Sequence, residues 1–196
     1  MAGIRAKGLD TGLRTTKDGT LQEKRVVLSA AQLQRAIERL AQQIIEPNGA
    51  SQDLLLIGIR KGGENLVRRI HAEIKRHTHV DVPVGFLNIN LYRDDAAQRE
   101  MPESDIADDV AGKEVVIVDD VLFTGRTIRS ALDAITDMGR PQAARLCVLV
   151  DRGLRELPIQ ADYCGRFVPT ARSEHVAVEL HAEPSDDDRV VIYGPK

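Results

Sequence analysis

One segment near the middle of the chain, Val115–Thr127, combines a buried strand pattern with groups that could bind a phosphorylated ligand. Its β-branched run, Val115–Val118, has no polar alternation, which is typical of a strand that is covered on both faces. Asp119 and Asp120 follow where this strand leaves the sheet, and open α/β sheets bind ligands at that edge. Two carboxylates at this position could hold ribose hydroxyls or Mg²⁺.

The residues after the two acids could form a phosphate cradle. Thr124–Thr127 supplies backbone N–H groups, two hydroxyls and a guanidinium where the next helix begins, and the positive end of a helix dipole favours anions. The two acids alone would also fit a solvated turn, or the Mg²⁺ site of a response regulator or phosphatase. Neither of those classes needs the Thr-Gly-Arg-Thr sequence. The whole segment resembles the phosphoribosyl pyrophosphate (PRPP) motif of type I phosphoribosyltransferases.

A second strand and loop predict another anion site at the same kind of sheet edge. The apolar run at 54–59 is followed by Arg60, Lys61, Gly62 and Gly63 and then by a helix. The loop has neither the Lys-Ser/Thr of a Walker loop nor dinucleotide-type glycine spacing. PRPP carries a 5′-phosphate and a pyrophosphate, which need separate cradles, so the two loops together are informative.

Apolar residues at helical spacing predict three helices around these strands. They are Leu33, Ile37, Leu40 and Ile44, with Ser29 as N-cap and Pro47 as terminator; Leu66, Ile70 and Ile74; and Ile128, Leu132 and Ile135. Since strands and helices alternate, the sequence predicts an α/β fold with a mainly parallel central sheet flanked by helices. Short strands after Leu157 predict a small hood from the C-terminal part.

Two segments lack a periodic apolar pattern. Residues 1–24 are polar and mildly basic, which predicts a flexible N-terminal arm and leaves 25–196 as the phosphoribosyltransferase domain. Residues 93–112 follow a predicted strand at 82–92 and are too long for an ordinary connection within a compact domain. We expect them to form a mobile lid that closes the active site against water.

Composition limits the classes of function. With 196 residues, a formal net charge of −3 and 3% aromatic residues, the chain can contact RNA only through a local basic surface. The helix after Gly63 offers Arg68, Arg69, Lys75 and Arg76, although an ordinary solvated face is the alternative. The two cysteines lie far apart, which predicts reduced thiols. No apolar stretch is long enough to span a bilayer, so we expect a cytoplasmic protein without membrane contact.

From about Val26 to Tyr193 the chain resembles the PyrR family of bifunctional pyrimidine operon attenuators and uracil phosphoribosyltransferases. The segments that carry the resemblance are Leu91–Asp95, Val115–Thr127, Gly139–Pro141, Leu149–Gly153, Arg155–Ile159, Ala161–Tyr163, Val168–Thr170 and Ser173–Glu174. The resemblance implies that uracil and PRPP are converted to UMP and pyrophosphate, with Mg²⁺ as cofactor. It also implies binding to pyrimidine-operon leader mRNA, promoted by UMP or UTP, and assembly into homodimers or larger homo-oligomers.

The resemblance and the chemistry together suggest a role for each site residue. Asp119 and Asp120 are the expected catalytic residues, because carboxylates favour the oxocarbenium-like transition state and could hold Mg²⁺ through PRPP or water. The expected 5′-phosphate loop comprises Val121, Leu122, Phe123, Thr124, Gly125, Arg126 and Thr127. The residues expected to bind pyrophosphate are Arg60, Lys61 and Gly62. The lid is expected to begin with Tyr92, Arg93 and Asp94. Uracil is expected to bind Arg152 and the backbone near Val176.

The chain also departs from the family pattern. Lys61-Gly62-Gly63 stands where the family has Thr-Arg-Gly, and Leu154 stands where it has His. Besides an active uracil phosphoribosyltransferase, a nucleotide-sensing RNA-binding regulator with little or no catalytic activity is therefore an alternative. A phosphoribosyltransferase without an RNA role, or one for another base, is a further alternative.

Overall fold

The computed structural model describes residues 13–16, 19–92, 102–107 and 109–195, which form two sheets and three α-helices. The strands are β1 (Leu13–Thr16), β2 (Gly19–Leu28), β3 (Leu54–Ile59), β4 (Val84–Leu87), β5 (Glu114–Leu122), β6 (Ala143–Asp151), β7 (Tyr163–Phe167), β8 (His175–Glu179) and β9 (Arg189–Gly194). The helices are α1 (Ala30–Asn48), α2 (Gly63–Thr78) and α3 (Arg126–Met138), with a short 3₁₀ turn at Asn90–Tyr92.

The central sheet is parallel, with strand order β4-β3-β5-β6-β7. Every residue of β3 is buried, as its uninterrupted apolar sequence predicts for a strand covered on both faces. The middle strand β5 is in register with both neighbours, so that Ile117 pairs with Ile57 and Leu146. The carboxyl ends of β3, β5 and β6 therefore lie side by side at one edge of the sheet. The predicted α/β fold with a mainly parallel sheet is confirmed.

Helices cover both faces of this sheet. The apolar residues that predict α1 and α2 are buried against one face, whereas Ile128 and Ile135 of α3 are buried against the other. Helix α1 begins after Ser29, as predicted, and ends at Asn48, so that Pro47 lies in the last turn. Among the residues that the structure describes, no helix is long and apolar enough to cross a membrane.

The predicted hood is an antiparallel sheet that is formed by strands from both ends of the described chain. The first strand after Leu157, β7, does not belong to it but pairs with β6 in the central sheet. The strand order of the hood is β1-β2-β9-β8, and Leu28, Val190 and Ile192 bury their side chains in the same core as α1 and α2. The prediction of a flexible arm is corrected for residues 13–16 and 19–24, which lie in β1 and β2. Charged residues such as Glu23 and Arg25 interrupt the apolar pattern of β2, which hides the strand in the sequence. Residues 1–12 lie outside the described residues.

The two cysteines are free, as the sequence predicts. Cys147 is buried in β6, and Cys164 in β7 is partly exposed. Burial raises the pKa of both thiols, so neither is poised as a thiolate nucleophile.

Arg69 belongs to the predicted RNA-binding residues, but the structure buries it between α2 and the hood. Its side chain is 5% exposed, and Nη1 lies 2.9 Å from Oδ2 of Asp188, which is 2% exposed. Nη2 also donates a hydrogen bond to Gln34 of α1. Asp188 accepts a further hydrogen bond from the backbone N–H of His181 at 2.9 Å. Arg69 therefore joins two helices to the hood and does not present its charge on an exposed surface.

We expect Arg69→Met to lower the free energy of unfolding by about 3 kcal/mol, because it leaves a buried carboxylate without its cationic partner. Arg76→Met is the matched control, since Arg76 is on the same helix and pairs with Glu73 through a side chain that is 58% exposed. That change should cost less than about 1 kcal/mol. Urea denaturation of both variants measures the difference, and equal losses would contradict the role assigned to Arg69.

Candidate active site

The two predicted catalytic acids lie at the carboxyl end of β5, in the middle of the parallel sheet. Asp119 is 6% exposed, and its Oδ1 accepts a hydrogen bond from the backbone N–H of Asp120 at 3.1 Å. Asp120 is only partly exposed, and burial raises the pKa of its carboxyl group above the usual value. Two carboxylates are thus held close together where solvent stabilises their charge poorly, a situation that favours binding of a cation or of hydroxyl donors.

Glycines at the start of α2 lie directly against these acids. A Cβ atom at Gly62 would be 2.5 Å from Oδ1 of Asp120 and 2.8 Å from Oδ1 of Asp119. At Gly63 it would be 2.1 Å from the carbonyl oxygen of Val118. The atom that a side chain at position 63 would meet is a backbone oxygen, so only glycine there allows the start of α2 to approach the end of β5. At Gly62 the nearest atoms are the carboxylate oxygens of the two acids. The structure thereby brings the predicted pyrophosphate loop and the predicted acids together.

The two basic residues of this loop differ in their surroundings. The Arg60 side chain is 12% exposed, with Nη1 donating to Oε1 of Glu64 at 2.9 Å and Nε to the carbonyl oxygen of Glu103 at 2.8 Å. Lys61 is exposed and has a left-handed backbone conformation, with φ 75°. Arg60 therefore holds the loop to its surroundings, and Lys61 is the basic side chain that this loop presents to solvent.

The predicted 5′-phosphate loop connects β5 to α3. Gly125 has φ 93°, which a residue with a side chain rarely adopts, and α3 begins at the next residue, Arg126. The first backbone N–H groups of an α-helix lack partners within the helix, so this end of α3 can bind an anion. Nε of Arg126 lies 2.9 Å from Oε2 of Glu156. The predicted loop is shorter in the structure: Val121 and Leu122 are the last residues of β5, and Arg126 and Thr127 already belong to α3. Residues 123–125 form the connection between them.

Arg152, predicted to contact uracil, is buried between this loop and the segment that connects β7 to β8. Its guanidinium lies 4.1 Å from the centroid of the Phe123 ring. Nε donates to Oγ1 of Thr170 at 2.9 Å, and Nη2 donates to the carbonyl oxygen of Glu174 at 2.7 Å. Burial lowers the pKa of Arg152, an effect that Glu174 opposes. Two of its nitrogens thus hold the segment between β7 and β8, and uracil contact by Arg152 and the buried strand residue Val176 stays a prediction.

The base of the predicted lid is attached to α3. The hydroxyl of Tyr92 donates to Oδ2 of Asp137 at 2.9 Å, and the carbonyl oxygen of Tyr92 accepts from Oγ of Ser130 at 2.9 Å. The bond to Asp137 raises the pKa of Tyr92. Arg93 and Asp94 lie outside the described residues. Tyr92 is therefore an anchor of the predicted lid.

Residues 102–107, which the sequence places in the lid, pair with the exposed edge of β4. Phe86 and Asp105 exchange backbone hydrogen bonds of 2.7 and 2.8 Å, and Asn88 donates to the carbonyl oxygen of Pro102 at 2.8 Å. The edge strand of the central sheet is thereby covered. A lid remains a prediction for the residues between Tyr92 and Pro102.

Sequence reasoning misses two functional candidates after β6, Arg155 and Glu156. The guanidinium of Arg155 donates to the carbonyl oxygen of Phe123 at 3.0 Å. The backbone N–H of Glu156 donates to the carbonyl oxygen of Thr124 at 2.9 Å. Oε1 of Glu156 also lies 2.9 Å from Nη1 of Arg172 in the connection between β7 and β8, and Arg172 and Arg126 together lower the pKa of Glu156. These residues form part of the segment that carries the family resemblance, but their sequence alone does not reveal that they contact the phosphate loop.

The comparisons with known proteins agree with this geometry. The Phosphoribosyl transferase domain family matches residues 27–183. The chain is 48% identical over 172 residues to Bifunctional protein pyrR of Enterococcus faecalis (strain ATCC 47077 / OG1RF), covering 86% of this chain and 96% of the relative. It is 49% identical over 172 residues to Bifunctional protein PyrR of Chloroflexus aurantiacus, covering 86% of this chain and 94% of that protein.

Solved structures show the same fold. The hypoxanthine phosphoribosyltransferase of Trypanosoma cruzi superimposes with a TM-score of 0.68 at 20% identity, over 89% of this chain and 98% of the other. A hypoxanthine-guanine phosphoribosyltransferase of Bacillus anthracis gives a TM-score of 0.60 at 25% identity, over 76% and 84% of the two chains. The parallel sheet, the acids at the end of β5 and the extent of sequence identity lead to one conclusion: the chain belongs to the PyrR family of bifunctional phosphoribosyltransferases.

Proposed function

We propose that this protein transfers the phosphoribosyl group of PRPP to uracil, giving UMP and pyrophosphate, and that it attenuates transcription of a pyrimidine operon by binding its leader mRNA. One observation supports the chemistry above all others: Gly62 lies against Asp119 and Asp120, so both anion-binding loops meet the two acids at one sheet edge. The choice of uracil, the mRNA target and UMP or UTP as effectors follow from membership in the PyrR family.

The reaction breaks the bond between ribose C1 and the pyrophosphate oxygen and forms a bond from C1 to N1 of uracil, whose N1 proton passes to water or to the released pyrophosphate. Positive charge builds on the ribose in the transition state, as in other glycosyl transfers. Asp119 and Asp120 stabilise this charge and accept hydrogen bonds from the ribose hydroxyls. The 5′-phosphate binds at residues 124–127, and the loop at 60–62 holds the departing pyrophosphate.

The donor set of the site fits Mg²⁺ that arrives with substrate. Within the described part of the chain, no group of three or more His, Cys, Asp or Glu side chains is arranged as a metal site. Mg²⁺ commonly uses one or two carboxylates together with water and substrate phosphates, and Asp119 and Asp120 supply such a pair. When bound, Mg²⁺ neutralises charge on the pyrophosphate leaving group.

The proposed RNA contact uses an outer surface of α2. After removal of Arg69 from the predicted set, Arg68, Lys75 and Arg76 remain exposed. Acids lie nearby: Nζ of Lys75 is 2.6 Å from Asp81, and the pKa of Asp81 is lowered by its hydrogen bonds to Lys75 and His71. A groove of about 680 Å³ runs along this surface, away from the catalytic acids. RNA phosphates would compete with these acids for the basic side chains.

The remaining parts of the proposal follow from the substrates and the family. Homodimers or larger homo-oligomers are expected of PyrR proteins. PRPP, uracil and mRNA are present together in the bacterial cytoplasm, where we place this protein.

The first test is UMP formation from uracil and PRPP in the presence of Mg²⁺. We expect Asp119→Asn/Asp120→Asn to lower kcat/KM by at least about a hundredfold, because the change removes two charges that stabilise the transition state. Asp133→Asn is the matched control: Asp133 is a half-exposed residue of α3 that pairs with Arg129, and its replacement should leave activity within about twofold.

A folded wild-type protein that binds UMP but forms none from uracil would overturn the enzymatic proposal. The alternative of a nucleotide-sensing RNA regulator would then be favoured, with Lys61-Gly62-Gly63 as an impaired pyrophosphate loop. Full activity of the double variant would instead refute the role of the acids.

The raised pKa of Asp120 predicts a cost to stability. Since its folded-state pKa lies above the unfolded-state value of about 3.9, the stability attributable to this group falls as pH rises through the two values and stays low at neutral pH. Asp120→Asn should therefore raise Tm at pH 7 while activity falls. The gain should shrink below about pH 4, where the carboxyl is protonated in both states. A lower Tm at pH 7 would contradict this assignment.

The RNA proposal predicts a salt-dependent contribution from α2. Arg68→Gln/Arg76→Gln should weaken leader RNA binding and reduce the slope of log K against log salt by about 0.7–0.9 for each RNA phosphate that the protein no longer neutralises. Arg129→Gln on α3, on the other face of the central sheet, is the control. Filter binding at several salt concentrations, with UMP present, measures the slopes. An unchanged slope would exclude this surface as the RNA contact.

A further inference from the structure

Arg155, in the segment after β6, uses all three nitrogens of its guanidinium. Nε donates to the carbonyl oxygen of Ile159 at 2.8 Å, and Nη2 lies 2.5 Å from Oδ2 of Asp151. Nη1 donates to the carbonyl oxygens of Gly153 and Phe123, both at 3.0 Å. Only the bond to Phe123 reaches the 5′-phosphate loop, so Arg155 connects that loop to a segment built on the end of β6.

We propose that Arg155 is a positioning residue for the 5′-phosphate of PRPP and UMP, acting through the main chain of the loop. A trans peptide unit is planar, and its C=O and N–H point in opposite directions. Because Arg155 holds the carbonyl oxygen of Phe123, the N–H of Thr124 in the same peptide unit points away from Arg155. That N–H is thereby aimed at the other side of the loop, where phosphate is proposed to bind.

The next peptide unit is held in the same direction. The carbonyl oxygen of Thr124 accepts from the backbone N–H groups of Glu156 at 2.9 Å and Leu157 at 3.2 Å. The N–H of Gly125 is therefore turned to the same side as that of Thr124. A Cβ atom at Gly125 would lie 3.4 Å from the Ile159 side chain, so this segment also packs against the loop. Two consecutive N–H groups thus have their direction set before any anion binds.

The geometry requires arginine. Its planar guanidinium offers five N–H donors in fixed directions, whereas lysine has a single nitrogen on a flexible chain. Four oxygens accept from Arg155, and one of them belongs to Asp151, which balances its charge. A lysine could keep the charge and the pairing with Asp151 but could not also hold the carbonyl oxygens of Phe123 and Ile159. Arg155→Lys therefore removes the hydrogen bonds that position the loop while it keeps the positive charge beside Asp151.

The inference rests on the proposed function, and its test compares UMP with uridine, which lacks the 5′-phosphate. We expect Arg155→Lys to weaken UMP binding by about tenfold, the effect of removing one charge-assisted hydrogen bond, and to change uridine binding by less than twofold. KM for PRPP should rise by a similar factor, with KM for uracil and kcat within about threefold. Arg129→Lys is the matched control, because Arg129 forms a half-exposed ion pair on α3.

Titration calorimetry gives the ratio of UMP to uridine affinity, and thermal unfolding verifies that each variant is folded. An unchanged ratio in folded Arg155→Lys protein would overturn the proposal, as would equal weakening of both ligands, which would indicate a general structural role. Arg155→Met should lower the ratio further, and the lysine variant decides the matter if the methionine variant does not fold. If the wild type itself does not prefer UMP over uridine, the phosphate site of the proposed function fails instead.

Discussion

The close approach between the start of α2 and the end of β5 is the constraint on which the site depends. Gly63 brings the helix against the carbonyl oxygen of Val118, and Gly62 brings the preceding loop against two carboxylates. Because backbone packs directly against the strand end at Gly63, a side chain at that position would push the two loops apart. The parallel sheet supplies the remaining requirement, since β3, β5 and β6 all end at the same edge. Binding of a ligand with two separate phosphate groups needs both conditions.

Much of this arrangement can be predicted from the sequence. The run at 115–118, the acids after it and the glycine-containing loops have local patterns with direct physical causes, namely burial on both faces and anion binding at helix ends. The helices can be predicted equally well, because residues such as Leu33, Ile70 and Ile135 recur at the helical period. These features depend on neighbours in the chain, so a single sequence contains them.

The parts that the sequence does not predict depend on contacts between distant segments. In the sequence, Arg69 looks like a surface cation on a basic helix, because Asp188, the buried carboxylate with which it pairs, lies far away in the chain. Strand β2 escapes prediction since its partner β9 is equally distant and its own residues are largely polar. The sequence Asp18-Gly19, whose glycine is the first residue of β2, is a common hairpin signal and could reveal it. The roles of Arg152 and Arg155 are hidden for the same reason, because only the fold shows which carbonyl oxygens they hold.

The arrangement of the hood also has a consequence for synthesis of the protein. Strand β9 pairs on one side with β2, from the opposite end of the described chain, and on the other side with β8. While a ribosome has yet to release residues 189–194, β2 has no partner on that side, and the core shared by α1 and the hood lacks Val190 and Ile192. Pairing between strands so far apart in the sequence is slow, because a long loop must close before the contacts form. The nascent chain can therefore assemble its parallel sheet during translation, but the hood above the active site closes only when synthesis of β9 is complete.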